Sequence, residues 1–309
     1  MIRISTSVTN SKRLNFIAHA ILITFFSIFI SSCSNDDDSD NPPDLSDDDP
    51  QETINLLTPE IKDLIYFRGD EKASTVLISI PGGPSTEFDS ELVDDIVGNF
   101  NTTDILTVSV QQAQTQNPSI VQGNDITLTQ AVSFNTQSIE NLYQVINYFK
   151  EEGRTVYVLG ISFGSFLAQE LIARKGIESA DKYLIMLGRL DMNNQMWQAL
   201  AEGKEGYFKN GITPLIDDEP HPEVSERNLL RIAAAFARNR YTQEFSPIDD
   251  LSNVTYVYGA TDMAVGRLTT EEIQFLESKD AQILSGNGGH DEPFVGFFEQ
   301  GLQEAFGIE

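Results

Sequence analysis

The chain has little of the chemistry that cysteine, histidine and positive charge supply. Among its 309 residues there is one cysteine, Cys33, and there are three histidines. A single thiol excludes an intrachain disulfide and any zinc cluster built from thiolates. Basic residues number 20 against 47 acidic ones, a net charge of −27. Arg3, Lys12 and Arg13 all precede Cys33, so a chain beginning at Cys33 carries 17 basic and 47 acidic residues. Such a surface repels nucleic acid and anionic lipid headgroups, which excludes nucleic-acid binding as the function. It says nothing about a small substrate. A permanent transmembrane helix needs about 20 consecutive apolar residues, and the apolar run from Leu14 to Ile30 is shorter and broken by polar positions. No internal repeat is present.

The N-terminus reads as an address. Three basic residues, an apolar middle from Leu14 to Ile30 and the small residues Ser31 and Ser32 have the order of a secretory signal over residues 1–32. Ile30-Ser31-Ser32-Cys33 resembles a bacterial lipobox, which implies lipidation of Cys33. The following Ser34-Asn35-Asp36-Asp37-Asp38 is similar to the acidic export signal of Bacteroidetes lipoproteins and implies an outer-membrane, surface-exposed location. Residues 33–52 are rich in Asp, Ser, Asn and Pro. Such a stretch buries too little apolar surface to offset its ordering entropy and reads as a disordered tether. The membrane is then reached only through the lipid anchor.

From 53 to 309 the composition becomes that of a protein with a core. Short β-branched runs at Leu64–Phe67, Thr75–Ile80, Ile105–Val110, Thr155–Leu159, Tyr183–Leu187, Thr255–Tyr258 and Ala281–Leu284 read as strands. They alternate with amphipathic segments at Glu87–Asn99, Thr136–Glu152, Phe163–Lys175, Glu223–Arg240, Thr270–Ser278 and Glu292–Phe306. Strand–helix alternation of this kind predicts an α/β domain with a mostly parallel sheet and helices on both faces. Residues 191–245 interrupt the alternation and are expected to form a small helical cap insertion.

Gly160-Ile161-Ser162-Phe163-Gly164 matches G-x-S-x-G, and it lies between a predicted strand and a predicted helix. A serine on a sharp strand-to-helix turn presents its hydroxyl as a nucleophile. A serine hydroxyl needs a base, most often histidine. His19 lies in the signal and His221 sits between two prolines. That leaves His290, after the last strand and before the last helix. The acid that orients it is expected in a loop after a strand, in the order Ser, Asp, His. Asp262 in Tyr258-Gly259-Ala260-Thr261-Asp262 fits, with Asp191 as the rival and Asp249 and Asp250 less well placed because they precede their strand. Backbone N–H groups of Phe163 and of Gly83, or of Gly82 in its place, are the candidate oxyanion donors. A Gly-Gly turn serves ordinary loop geometry as well.

Taken together these residues resemble the α/β-hydrolase superfamily. The resemblance implies a serine hydrolase that cleaves an ester or related acyl bond of a small-molecule substrate through an acyl-enzyme, with no cofactor and no metal. Pro81-Gly82-Gly83-Pro84 is similar to the His-Gly-Gly-Pro loop of proline iminopeptidases, which implies an aminopeptidase-like alternative. Pro81 stands where that family has histidine, and Gln111-Gln112-Ala113-Gln114 lacks its Asp-x-Arg-Gly. Glu202 and Glu205 are the acids available to meet a substrate amine. A binding lipoprotein that keeps the fold without turnover is the remaining reading.

Overall fold

A computed structural model describes residues 57–88 and 90–309, except the side chains of 291–295. The signal, the tether and Cys33 lie outside the described residues. The first elements are α1 (Pro59–Lys62), β1 (Ile65–Arg68), β2 (Thr75–Ile80), α2 (Glu91–Asn99), β3 (Ile105–Val110), α3 (Ala113–Gln116), α4 (Ser119–Gln122) and α5 (Leu128–Glu151). Next come β4 (Thr155–Ile161), α6 (Phe163–Lys175), β5 (Lys182–Met186), α7 (Asn194–Ala201), β6 (Gly206–Lys209), β7 (Thr213–Ile216), α8 (Val224–Ala237) and α9 (Tyr241–Glu244). The chain ends with β8 (Val254–Gly259), α10 (Thr270–Glu277), β9 (Gln282–Gly286) and α11 (Asp291–Phe306).

Seven strands form one sheet in the order β1-β3-β2-β4-β5-β8-β9. Only β1 runs antiparallel to its neighbour. The strands are apolar at successive residues because both faces are covered. Val76, Ile78, Val156 and Val158 join a core with α5, α6 and α8, whereas Leu77 and Leu159 join one with α2 and α11. That is the two-residue period of a strand read on two buried faces.

The central helix α6 is buried from Phe163 through Ile172. It touches β4, β2, α5 and α8, so its apolar residues go all round instead of forming a stripe. Helix α5 starts at Leu128, earlier than the expected Thr136. Thr127 and Gln130 form a reciprocal capping box there, and the Thr136 hydroxyl donates back to the Val132 carbonyl within the helix.

The stretch 191–245, expected to be a helical cap insertion, carries a hairpin beside its helices. It holds α7, α8 and α9, and also the antiparallel hairpin β6–β7, paired from Gly206↔Ile216 to Lys209↔Thr213. Helix α8 packs along α5 and α6 as part of the main core. The hairpin is the part that leans on the loop after β8. Phe208 N–H donates to the Met263 carbonyl at 2.7 Å and Arg267 N–H to the Gly211 carbonyl at 2.9 Å.

Candidate active site

In parallel α/β sheets the loops at the C-terminal ends of the strands converge into a crevice. Ser162 follows β4, Asp262 follows β8, His290 follows β9, and Gly82 and Gly83 follow β2. Ser162, Asp262, His290, Gly82 and Gly83 are therefore all delivered to one edge of the sheet.

The turn at Ser162 is sharp because β4 must become α6 without a linker. Ser162 has φ 53° and ψ −113°, a conformation that L-residues rarely adopt. Strain of this kind costs of order 1–3 kcal/mol. Local bonds hold it: Ser162 N–H donates to Met186 O at 2.9 Å, and the Ser162 carbonyl accepts from Ser165 N at 3.0 Å and Ser165 Oγ at 2.6 Å. Gly164 has no alternative there. A Cβ on it would lie 2.0 Å from the Ile80 carbonyl oxygen, so the helix start and the end of β2 could not pack.

The three predicted side chains meet. His290 Nε2 lies 3.0 Å from Ser162 Oγ, and His290 Nδ1 lies 2.7 Å from Asp262 Oδ2. A carboxylate only accepts, so Nδ1 carries the proton and Nε2 is left to accept from the serine hydroxyl. The other oxygen of Asp262, Oδ1, accepts the N–H groups of Ala264 at 2.8 Å and Val265 at 3.0 Å. Asp262 is 1% exposed, and these bonds meet the requirement that a buried charge be paired and hydrogen-bonded. The loops bearing Asp262 and His290 are laced together by Ala260 N→Gly286 O at 2.9 Å and Thr261 N→Gly288 O at 3.1 Å.

Asp191 is engaged elsewhere. Its carboxylate accepts from the Thr242 hydroxyl at 2.5 Å and the Thr242 N–H at 3.3 Å, and its backbone bridges to Arg240. Asp250 accepts from Ser252 N–H at 2.7 Å, which holds its carboxyl below the usual range. Asp249 is exposed beside it, ahead of β8. His221 Nδ1 accepts from Glu223 N–H at 3.2 Å, and its Nε2 faces Glu205 at 3.7 Å. Glu202 pairs with Lys204 at 2.9 Å.

Gly82 lies against the serine: a Cβ there would sit 3.4 Å from Ser162 Cβ and 3.9 Å from its Oγ. Gly83 follows with φ +139°. Among the described residues no backbone or side-chain acceptor takes the N–H of Gly82, Gly83 or Phe163. Of the three residues, Gly82 is the one whose Cβ position borders the hydroxyl. The described residues contain no group of three or more His, Asp or Glu able to hold a metal.

Sequence reasoning did not single out the polar pair behind the acid loop. Glu272 is 2% exposed; it accepts the N–H groups of Asp191 and Thr269 at 2.7 Å each and faces Arg189 Nε at 3.6 Å. Burial raises the Glu272 carboxyl, with Arg189 opposing. Arg189 lies against Gly266, in the segment that carries Asp262. The readable signal was Thr269-Thr270-Glu271-Glu272, a capping-box pattern at the start of α10.

No family model and no curated protein matches the chain. Solved structures do. An α/β hydrolase enzyme from a Medee basin deep-sea metagenome library superposes with a TM-score of 0.51 at 14% identity, covering 79% of this chain and 94% of that one. Est1E from Butyrivibrio proteoclasticus, solved with ferulic acid bound, gives 0.48 at 13% identity over 78% of this chain and 92% of that one. Seven strands in this order, the strained serine after β4 and the first of these superpositions lead to one statement of architecture: the chain has the α/β-hydrolase fold.

Proposed function

We propose that the protein is a serine hydrolase that cleaves a carboxylic ester, or a related acyl bond, through an acyl-enzyme on Ser162. One observation carries the reading: a serine hydroxyl, an imidazole and a buried carboxylate lie in a hydrogen-bonded line of 3.0 and 2.7 Å, within reach for proton transfer. His290 Nε2 takes the proton of Ser162 as the oxygen attacks the carbonyl carbon. Asp262 holds the imidazole in its Nδ1–H form and stabilises the imidazolium that results. The N–H groups of Phe163 and of Gly83 or Gly82 receive the oxyanion. His290 then gives its proton to the leaving group, and water activated by the same imidazole releases the acid.

An ester is favoured over a peptide because the acids considered for a substrate amine, Glu202 and Glu205, face Lys204 and His221. The lipobox-like Ile30-Ser31-Ser32-Cys33 supports the accompanying proposal that the enzyme is held outside the cell by lipid on Cys33.

The test is labelling by a fluorophosphonate probe, followed by turnover of p-nitrophenyl acyl esters beside aminoacyl p-nitroanilides. We expect the parent to label and Ser162→Ala and His290→Ala not to. Ester turnover in Ser162→Ala should fall by about 10⁴-fold or more, with thermal unfolding unchanged. A folded parent that neither labels nor turns over any ester would sink the catalytic reading in favour of a binding protein. Preferential cleavage of the anilides would shift it to a peptidase.

A further inference from the structure

Among the described residues the exposed large hydrophobic side chains are Tyr207, Ile212, Leu215 and Met263. They lie on two neighbouring segments, the hairpin and the loop after β8, which backbone hydrogen bonds hold side by side. Tyr207 and Leu215 are cross-strand partners on the outer face of the hairpin, while Phe208, the next residue along β6, is fully buried. Ile212, 53% exposed, is in the turn joining β6 to β7. Met263, 51% exposed, is fastened to β6 through the Phe208 N–H. Soluble chains scatter such residues singly, and a contiguous exposed group marks a contact surface.

The same surface is set apart by charge. Residues 206–216 and 263–269 contain no Asp or Glu, in a chain that has 47 of them. They do contain Lys209 and Arg267, both exposed, and neither forms an ion pair among the described residues. The Arg267 N–H bond to the Gly211 carbonyl sets the two cation-bearing segments side by side. Asp217, Asp218 and Glu219 begin only past the far end of β7, about 10 Å of strand away from the turn. The hairpin therefore has an apolar, cationic tip and an acidic base.

We propose that this tip seats on an anionic lipid surface, with Ile212, Met263 and the Tyr207–Leu215 pair at the boundary of the acyl chains and Lys209 and Arg267 against the phosphates. Apolar side chains flanked by cations are what such a surface binds. The bulk charge of the chain opposes the approach. At physiological ionic strength, however, fields decay over about 8 Å, so the charge of the contact face decides the seating. A second copy of the chain is the poorer occupant, because a twofold contact would bring like cations face to face. The inference is independent of turnover at Ser162. Since Met263 directly follows Asp262, seating would bring the acid loop to the lipid surface.

The test is hydrogen exchange of the full-length protein with vesicles of phosphatidylcholine alone and of phosphatidylcholine with phosphatidylglycerol in equal parts. The parent is compared with Lys209→Glu/Arg267→Glu and with Ile212→Ser/Met263→Ser, all checked for unchanged thermal unfolding. We expect slowed exchange across 206–216 and 262–268 only with the mixed vesicles, lost in both variants. Vesicle affinity should fall about fivefold for each cation merely neutralised. Protein that binds vesicles while its tip exchanges as in free solution would overturn the proposal. So would equal protection by phosphatidylcholine alone, or protection that appears without lipid as protein concentration rises, which would assign the surface to self-association.

Discussion

Gly82 and Gly83 are neighbours with different constraints, and substitution separates them. Alanine at Gly82 puts its methyl in ordinary contact with Ser162 Cβ and 3.9 Å from the hydroxyl. The fold accepts it, but the methyl occupies space that a substrate carbonyl needs. We expect Gly82→Ala to lower kcat/KM by about tenfold or more with an unchanged melting temperature. Alanine at Gly83 meets Ser85 N at 2.7 Å with φ +139°, so Gly83→Ala should cost about 1–3 kcal/mol of stability, read by denaturant unfolding. Asp262→Asn tests the acid more cleanly than truncation does. The amide oxygen can keep the Ala264 and Val265 N–H bonds while its NH2 faces His290 Nδ1. The imidazole is then driven to the Nε2–H form and cannot accept the serine proton. Steady-state kinetics should show kcat falling about 10³–10⁴-fold, and Asp191→Asn, which only loosens Thr242, should leave kcat near the parent's. The sequence put Asp262 ahead of Asp191 on strand order but left the rival standing, because both follow strands. The choice depends on side-chain direction, and only the bond from Thr242 reveals that Asp191 points away.

Elements were legible where hydrophobic period and local caps agreed. The buried strands β2, β3 and β4 come within two residues of expectation, because a sheet covered on both faces writes continuous apolar runs. The hairpin was missed although its signal was present: Asn210 and Gly211 take positive φ, and Asn-Gly between short apolar runs is a strong hairpin cue. Pro214 and the brevity of both strands hid it. Helix α8 has a tie that no period predicts. Asp125 receives Arg227 Nε at 2.8 Å and Nη2 at 3.0 Å, and Arg231 as well, so one carboxylate binds two successive turns of α8 to the loop before α5. Hydrogen bonds from Arg227 and then Arg231 hold this carboxyl well below the usual carboxylate range. A group whose folded pKa is depressed contributes stability that is complete above its unfolded pKa and is lost as pH falls towards the folded one. Asp125→Ala should therefore melt lower than the parent at neutral pH. The gap should shrink only as pH drops through and below the ordinary carboxylate range, as followed by calorimetry at several pH values. A gap that persists unchanged in acid would mean that packing, not charge, is what the substitution removes.

At the scale of the whole molecule, parallel topology and the convergence of Ser162, Asp262 and His290 on one edge were readable from strand order, whereas the distances between them were not. Charge is the other property of the whole, and it makes its own prediction. The residues from 53 onward hold 38 acidic and 17 basic side chains, an excess that repels itself more strongly in the folded state than in an expanded one. Added salt screens that repulsion. It also weakens attractive pairs, but those most open to solvent, such as Arg68–Asp94 and Lys204–Glu202, each at 2.9 Å, are of a kind worth only about 0–1 kcal/mol each. Buried contacts such as Arg189 with Glu272 are screened much less. The repulsive sum should win. Raising sodium chloride from low to physiological ionic strength at neutral pH should raise the melting temperature, by about 2–4 °C for each kcal/mol recovered in a domain of this size. Lowering the pH towards the carboxylate range protonates the same acids and should diminish the salt effect. A melting temperature that falls with salt at neutral pH would show that the ion pairs, not the net charge, govern the stability of this fold.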